Sequence, residues 1–214
     1  VDDRPMESAD AAVNLTERAG IGRGDSGRAR WSPDGRRIML VHVPIDDEGV
    51  DGDWLDRVQL WVIHADGSGA YQVQIPGRVP RYAQWTPDGS RILLSARAAR
   101  AAGDPSCGSG TCGAFLVDVD GTHIHKLPMT YGAVSPDGRW IAGVWASPVH
   151  GVISVNTGKG WYKPTTGTYR WKLLLLHPEG TGERTLLTGS CPLADLPADP
   201  CATAVALTPH DFTW

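Results

Sequence analysis

The chain has 214 residues, of which 41% are hydrophobic, so it is long and apolar enough to bury a sizeable core. Its formal net charge of -4 at pH 7 offers no general attraction for phosphate backbones, which argues against DNA or RNA as a partner. The longest apolar run, Leu173–Leu176, is far shorter than the roughly 18 residues that cross a bilayer, so we expect no membrane span.

The first motif in chain order is GDSG at Gly24–Gly27, which overlaps the adhesion-type sequence RGDS at Arg23–Ser26. GDSG is typical of serine-protease nucleophile loops, but that chemistry also needs a histidine and an aspartate in a fixed arrangement. No matching constellation accompanies the motif, and both motifs are short enough to occur by chance. We predict a glycine-rich connecting loop here, and no catalytic residue.

A ten-residue pattern occurs three times: WSPDGRRIML from Trp31, WTPDGSRILL from Trp85 and VSPDGRWIAG from Val134. Its centre is a turn in which proline presets the backbone, aspartate can bond its own main chain and glycine takes the position of positive φ. A short segment precedes each turn and an apolar run follows it, so each copy predicts a β-hairpin. The runs are apolar at consecutive positions, which indicates strands covered on both faces.

Each repeat contains two further strand candidates joined by a second turn, as in RVQLWVIHADGSGAYQVQIPG. Four strands per repeat, with the turn prolines Pro33, Pro87 and Pro136 spaced 54 and 49 residues apart, match the blades of a β-propeller. We predict an all-β fold, a β-propeller of four-stranded antiparallel blades, with blades at residues 28–80, 81–130 and 131–190. Residues 1–27 are predicted to end a preceding blade with a final strand at residues 8–20, and residues 191–214 to form a loop and the start of the next blade. At the carboxyl end, either Thr208–Asp211 is a decayed turn or Trp214 takes the place of Trp31, and the sequence leaves both registers open.

The sequence WSPDGRRIML, followed by LWVIHADGSGAYQVQIPG, resembles the TolB-type, WD-like propeller repeat. That repeat occurs in periplasmic and secreted bacterial proteins and in the propellers of prolyl-oligopeptidase-like peptidases. The resemblance covers about residues 28–190 and implies the fold, but hardly an activity, since the repeat serves many functions. Val134 replaces the tryptophan before the turn, the third blade carries a long insertion, and the 214 residues contain no TolB-like amino-terminal domain. TolB's own partners are therefore not expected to carry over.

Three blades do not close a ring, because propellers have four blades or more. Each blade buries its apolar faces only against its neighbours, so an open arc leaves two such faces in water. At about 25 cal/mol per Å², roughly 500 Å² of apolar surface left in water forfeits on the order of 10 kcal/mol. We therefore expect the chain, which begins at Val1, to be a segment of a larger propeller, or its missing blades to come from other protein subunits.

The long connections between strands are predicted to share one rim, while the short turns share the other. Loops on a rigid scaffold commonly carry binding residues, although drift-tolerant surface insertions are the alternative. Exposed amphipathic rings often anchor protein or sugar contacts, so we select the aromatic residues of these connections and one neighbouring lysine as binding candidates: Trp54, Trp161, Tyr162, Lys163 and Tyr169. The insertion around Trp161 is equally compatible with covering the edge of the third blade.

The acidic connection PIDDEGVDGDWLD offers hard oxygen ligands, with Asp47, Asp51 and Asp53 as weak calcium candidates. It does not fit the D-x-[DN]-x-[DN]-G pattern, and a solvated acidic loop is the alternative. We expect no other metal and no cofactor.

Four cysteines form two close pairs in loop-like sequence, Cys107 with Cys112 and Cys191 with Cys201. Zinc sites prefer two-residue spacings with histidine nearby, so disulfides are favoured over a metal or free thiols. Disulfides persist in oxidising compartments, which points to the periplasm or the outside of the cell.

These features predict a non-catalytic propeller scaffold for protein–protein or ligand binding, as a subunit or fragment of a larger assembly. The alternative is the propeller portion of an enzyme, a prolyl-oligopeptidase-like peptidase or a polysaccharide lyase, whose catalytic residues lie outside residues 1–214. The sequence has no G-x-S-x-G nucleophile elbow, so an α/β-hydrolase domain is not expected within it.

Overall fold

The computed structural model describes residues 13–45, 54–98, 113–146 and 168–192. Within these ranges the strands form three four-stranded antiparallel sheets, each a meander in chain order, and the sheets do not close a ring. Blade 1 contains β1 (Gly24–Trp31), β2 (Arg37–Pro44), β3 (Gln59–His64) and β4 (Tyr71–Val73). Blade 2 contains β5 (Arg78–Trp85), β6 (Arg91–Ala98), β7 (Gly113–Asp118) and β8 (His125–Lys126). Blade 3 contains β9 (Tyr131–Val134), β10 (Ile141–Ala146), β11 (Thr168–Leu176) and β12 (Arg184–Pro192).

The predicted turn closes the first hairpin of every blade. In blade 1, the Ser32 hydroxyl donates to Asp34 Oδ1 at 2.6 Å and accepts the Arg37 backbone N–H at 2.9 Å. Gly35 ends the turn with a φ of 67°, a value that glycine adopts without strain. The same arrangement recurs in the other two blades, at Thr86 and Ser135.

The strand register is the same in all three blades. Trp31 lies opposite Ile38 across the first hairpin, and the equivalent pairs are Trp85 with Ile92 and Val134 with Ile141. The predicted hairpins and the repeat alignment are therefore confirmed.

The cores lie between neighbouring blades. Met39 and Leu60 of blade 1 pack in one cluster with Trp85, Ile92 and Leu94 of blade 2. On the opposite face of blade 2, the cluster with blade 3 contains Leu93 and Leu116 together with Ile141 and Leu174. Successive residues of β6 point to opposite faces, so their burial in two different cores confirms that blade 2 is covered on both sides.

The prediction of a strand at residues 8–20 is wrong at its described end. Leu15–Arg18 forms one helical turn, whose first backbone groups are capped by Asn14, with its Oδ1 accepting the Glu17 N–H at 3.2 Å. The capping sequence, asparagine followed three residues later by glutamate, favours a helix start. After this turn, Ile21 packs against Ile38 and Leu40 and covers part of the first face of blade 1.

The glycine-rich motif at Gly24–Gly27 forms the beginning of β1 rather than the predicted connecting loop. Gly24 pairs with Pro44 and Ser26 with His42, so backbone pairing with β2 extends to the end of that strand. Among the described residues, no helix is both long and apolar enough to cross a membrane.

Candidate functional site

Most of the site residues predicted from the sequence lie outside the described residues: Trp161, Tyr162, Lys163, Asp47, Asp51, Asp53, Cys107, Cys112 and Cys201. For three others the structure describes only the backbone. Trp54 begins a 3-10 helix that ends at Arg57, and Tyr169 of β11 pairs with Cys191 of β12. Cys191 therefore lies in a strand rather than in the predicted loop, while the binding, calcium and disulfide assignments stay predictions. In the described ranges, no group of three or more histidine, cysteine, aspartate or glutamate residues is placed to hold a metal ion.

A hollow of about 250 Å³ lies between the first strands of blades 1 and 2. Three arginines line it: Arg28 and Arg30 from β1, and Arg81 from β5. Its polar lining also includes Tyr82 and Ser95, its apolar lining includes Met39, Val41 and Leu60, and none of the described residues that line it is an aspartate or a glutamate. The first strands thus bring three positive charges together in a chain whose net charge is negative.

Backbone irregularities in both strands place these arginines. The register of β1 shifts between Gly27 and Arg30, and that of β5 shifts between Pro80 and Tyr82. Such bulges turn side chains away from the ordinary alternation of a strand. Arg28, inside the first bulge, has a φ of 54°, which residues other than glycine seldom adopt.

The Arg28 side chain bridges the two blades. Its Nη1 donates to the Arg81 carbonyl at 3.2 Å, and its guanidinium carbon lies 5.3 Å from the centre of the Tyr82 ring. Arg30 donates to the neighbouring Ala29 carbonyl at 3.1 Å. Within the described residues, none of the three arginines that line the hollow forms an ion pair with a carboxylate.

The sequence did not predict this cluster, because binding residues were expected in the long connections between strands and these three arginines lie within β1 and β5. The signal was available in GRARW and RVPRYAQW, where arginines crowd the segments before the repeated turns. The bulges decide which of these arginines line the same hollow, and the repeated sequence pattern does not indicate where the bulges lie.

The serine of the GDSG motif has a histidine neighbour that the sequence did not suggest. Ser26 Oγ and His42 Nδ1 lie 2.8 Å apart, across paired strands 16 residues distant in sequence. His42 is buried, and burial lowers its pKa, while the negative charge of Asp25 opposes that shift. The imidazole is therefore favoured in its neutral form.

Residues 13–45, 54–98, 113–146 and 168–192 supply no third member of a serine-hydrolase triad to this pair. A catalytic histidine is oriented by a carboxylate on its other ring nitrogen. Nε2 of His42 instead packs against Gly24 and makes no hydrogen bond with the described residues. Asp25 directly precedes Ser26 in β1, and successive side chains of a strand point to opposite faces. Asp25 therefore faces away from the serine and the histidine, and it lines a different hollow together with Arg28.

Trp31 and Trp85 occupy the same repeat position in different surroundings. Trp85 is 6% exposed, lies between blades 1 and 2, and donates its Nε1–H to the Arg30 carbonyl at 3.1 Å. Trp31 is 60% exposed. The outer face of blade 1 thus contains a tryptophan whose equivalent in blade 2 is buried against a neighbouring blade.

Several solved structures share the propeller fold with this chain. A protein assigned as TolB from Agrobacterium tumefaciens matches with 18% identity and a TM-score of 0.44, covering 74% of this chain and 47% of that one. An oligogalacturonate lyase from Vibrio parahaemolyticus matches with 14% identity and a TM-score of 0.40, over 75% of this chain and 36% of that one. The acylaminoacyl peptidase of Pyrococcus horikoshii matches with 10% identity and a TM-score of 0.45, over 82% of this chain and 26% of that one.

The likeness concerns the fold alone. This chain spans less than half the length of each of these proteins, which include both a TolB protein and enzymes. No family model and no curated protein matches the sequence.

Proposed function

We propose that this chain is a non-catalytic, TolB-type propeller scaffold that binds other protein subunits, within an assembly in the periplasm or outside the cell. The observation that carries the proposal is the exposure of Trp31, set against the burial of Trp85 at the equivalent position. The TolB-like repeat and the two cysteine pairs support the location.

The surface around Trp31 resembles the surface around Trp85, through which blade 2 binds blade 1. Trp85 fills the space between two blades and donates to a carbonyl of the preceding first strand. Trp31 has the same register in its own blade, so its natural partner is another sheet that offers apolar side chains and a backbone carbonyl. Ile21 and the helical turn cover only part of this face.

Blade 3, the last blade that the structure describes, has the complementary surface. Leu174 and Leu176 of β11 pack against blade 2, so Leu173 points to the opposite face of blade 3. Leu187, which pairs with Leu173, is 58% exposed. Because blades 1 and 2 each bind the following blade through this kind of face, we expect the Leu187 face of one subunit to bind a Trp31 face of another.

The geometry around Ser26 supports the non-catalytic part of the proposal. The serine is paired with a buried histidine, and no carboxylate of the described residues bonds to the other ring nitrogen of that histidine. The pair is well suited to hold β1 and β2 together.

Sedimentation of the full chain over a wide concentration range tests the proposal. We expect self-association, because one copy offers both kinds of face. We expect Trp31→Glu to reduce it, and to leave the melting temperature unchanged at concentrations low enough for both chains to be monomeric. Ile124→Glu is the matched control, since Ile124 is also an exposed apolar residue but lies in neither end face. A chain that stays monomeric and melts cooperatively at every concentration would contradict the proposal, as would equal effects of the two substitutions.

A further inference from the structure

We propose that the hollow between the first strands of blades 1 and 2 binds an organic ligand with two or three closely spaced carboxylates. This inference goes beyond the proposed scaffold function and does not rest on it, because the arginines that carry it lie between the first strands of blades 1 and 2. It rests on the three arginines, on the absence of carboxylate partners for them in the described part of the chain, and on the mixed lining around them.

The charges are the first argument. Arg28, Arg30 and Arg81 line a single hollow, and like charges that share one hollow repel one another unless an anion or solvent compensates them. In most surface clusters, acidic side chains supply that compensation. Here Asp25 lines an adjoining hollow, and it forms no ion pair with Arg28 or Arg81.

The fixed position of Arg28 is the second argument. Its contacts with the Arg81 carbonyl and the Tyr82 ring restrain the side chain, although the residue is exposed. Its backbone has a conformation that costs energy for a residue with a side chain. A restrained guanidinium loses little further conformational freedom when a carboxylate binds to its planar set of donors.

The lining selects the kind of anion. Val41 and Ala83, which are both half-buried, form an apolar wall beside the arginines, and the Tyr82 ring lies next to Arg28. Inorganic phosphate would leave the apolar wall without a contact, whereas a carbon skeleton that carries carboxylates would satisfy both surfaces. A volume of about 250 Å³ suits a small molecule or a few acidic side chains of a peptide.

Calorimetric titration of the full chain tests this assignment, with tricarballylate and a triglutamate peptide as the two carboxylate probes. We expect at least one probe to bind, with an affinity that falls as sodium chloride is added, because salt screens exposed charges. The tighter probe then distinguishes a free carboxylic acid from an acidic peptide as the source. The neutral triamide of tricarballylate should not bind.

Substitutions in the hollow provide the second part of the test. Arg28→Gln and Arg30→Gln should each weaken binding by at least about tenfold, since each removes one charge-assisted contact. Arg28→Lys should have a smaller effect, because lysine keeps the charge but not the planar donors. Arg184→Gln, which changes an exposed arginine of β12, is the matched control and should leave the affinity unchanged.

Four results would overturn the assignment: no binding of either probe, equal binding of the triamide, tighter binding of inorganic phosphate, or equal weakening by Arg184→Gln. The Arg30 variant keeps the test decisive should Arg28→Gln fail to fold, because the Arg30 side chain is exposed and bonds only to the neighbouring carbonyl.

Discussion

At the scale of single residues, a buried hydroxyl organises each of the repeated turns. Ser32, Thr86 and Ser135 are between 3% and 4% exposed, and each donates to the aspartate two residues later. Each also accepts a backbone N–H from the first residue after the turn. One hydroxyl thus holds the turn closed through two hydrogen bonds, one to the aspartate within the turn and one to the backbone of the strand that follows.

Replacing this hydroxyl should cost stability because the hydroxyl is buried and bonds to the half-buried backbone N–H of Trp140. We expect Ser135→Ala to lower the free energy of unfolding by about 0.5–1.5 kcal/mol, the usual net contribution of one hydrogen bond. Urea unfolding would measure the loss. Ser135→Thr is the control, because Thr86 performs the same role in blade 2, and a threonine variant as unstable as the alanine variant would show that the hydroxyl is not the cause.

At the scale of elements, the residue after the repeated turn links blade 1 to blade 2 and blade 2 to blade 3. Arg37 of blade 1 donates to the Gly89 carbonyl of blade 2 at 3.0 Å, and Arg91 of blade 2 donates to the Pro178 carbonyl of blade 3 at 3.2 Å. In blade 3 the equivalent residue is Trp140, which stacks on His177 of its own blade with ring centres 4.5 Å apart. Blade 3 thus has no arginine at the position from which blades 1 and 2 each donate a hydrogen bond to the next blade.

A pair of glycines lets blade 3 approach blade 2. Gly132 of β9 and Gly143 of β10 lie opposite each other, and the thioether of Met129 occupies the space above both. A methyl group on Gly143 would overlap the Met129 sulfur and the Tyr131 carbonyl.

We therefore expect Gly143→Ala to destabilise the chain by about 1–3 kcal/mol, the usual cost of overpacking. Thermal unfolding would measure it. Gly27→Ala is the matched control, because Gly27 also lies in a strand, has an ordinary φ and has open space where the methyl group would go. Similar losses in both variants would mean that glycine's backbone freedom, rather than the contact with Met129, explains the effect.

At the scale of the whole molecule, the short turns place a set of aspartates with lowered pKa values along one rim. A hydroxyl hydrogen bond is the main cause for four of them, from Ser32 to Asp34, Ser68 to Asp66, Thr122 to Asp120 and Ser135 to Asp137. For Asp88 burial raises the pKa, but hydrogen bonds from Thr86 and Ser90 outweigh it.

These shifts predict that the chain loses stability in acid. A carboxylate whose pKa is lower in the folded chain stabilises it above the unfolded value of about 4, and that contribution is lost as the pH falls through the folded value. We expect the melting temperature to be nearly constant near neutral pH and to fall below about pH 4. The double variant Asp34→Asn, Asp137→Asn should show a shallower fall, and an unchanged acid profile in that variant would contradict the role of the turn carboxylates.

Local patterns and the three-dimensional arrangement account for different parts of this result. The repeated turns and the hairpins were predictable because proline, aspartate, glycine and the apolar runs act over a few residues. The helical turn at Leu15–Arg18 was missed because the propeller pattern was extended to the chain start in spite of the cap at Asn14. The strand at Gly24 was missed because glycine, aspartate and serine favour loops, while pairing with β2 overrode that preference.

From the sequence alone, the repeat, its register and the covering of both sheet faces followed, since each depends on spacing along the chain. Only the tertiary structure brought Ser26 to His42, gathered Arg28, Arg30 and Arg81 around one hollow, and separated exposed Trp31 from buried Trp85. Those contacts join residues of different strands and blades. They depend on the positions of the bulges and on which face of a blade has a neighbour, and the spacing of residues along the chain indicates neither of these.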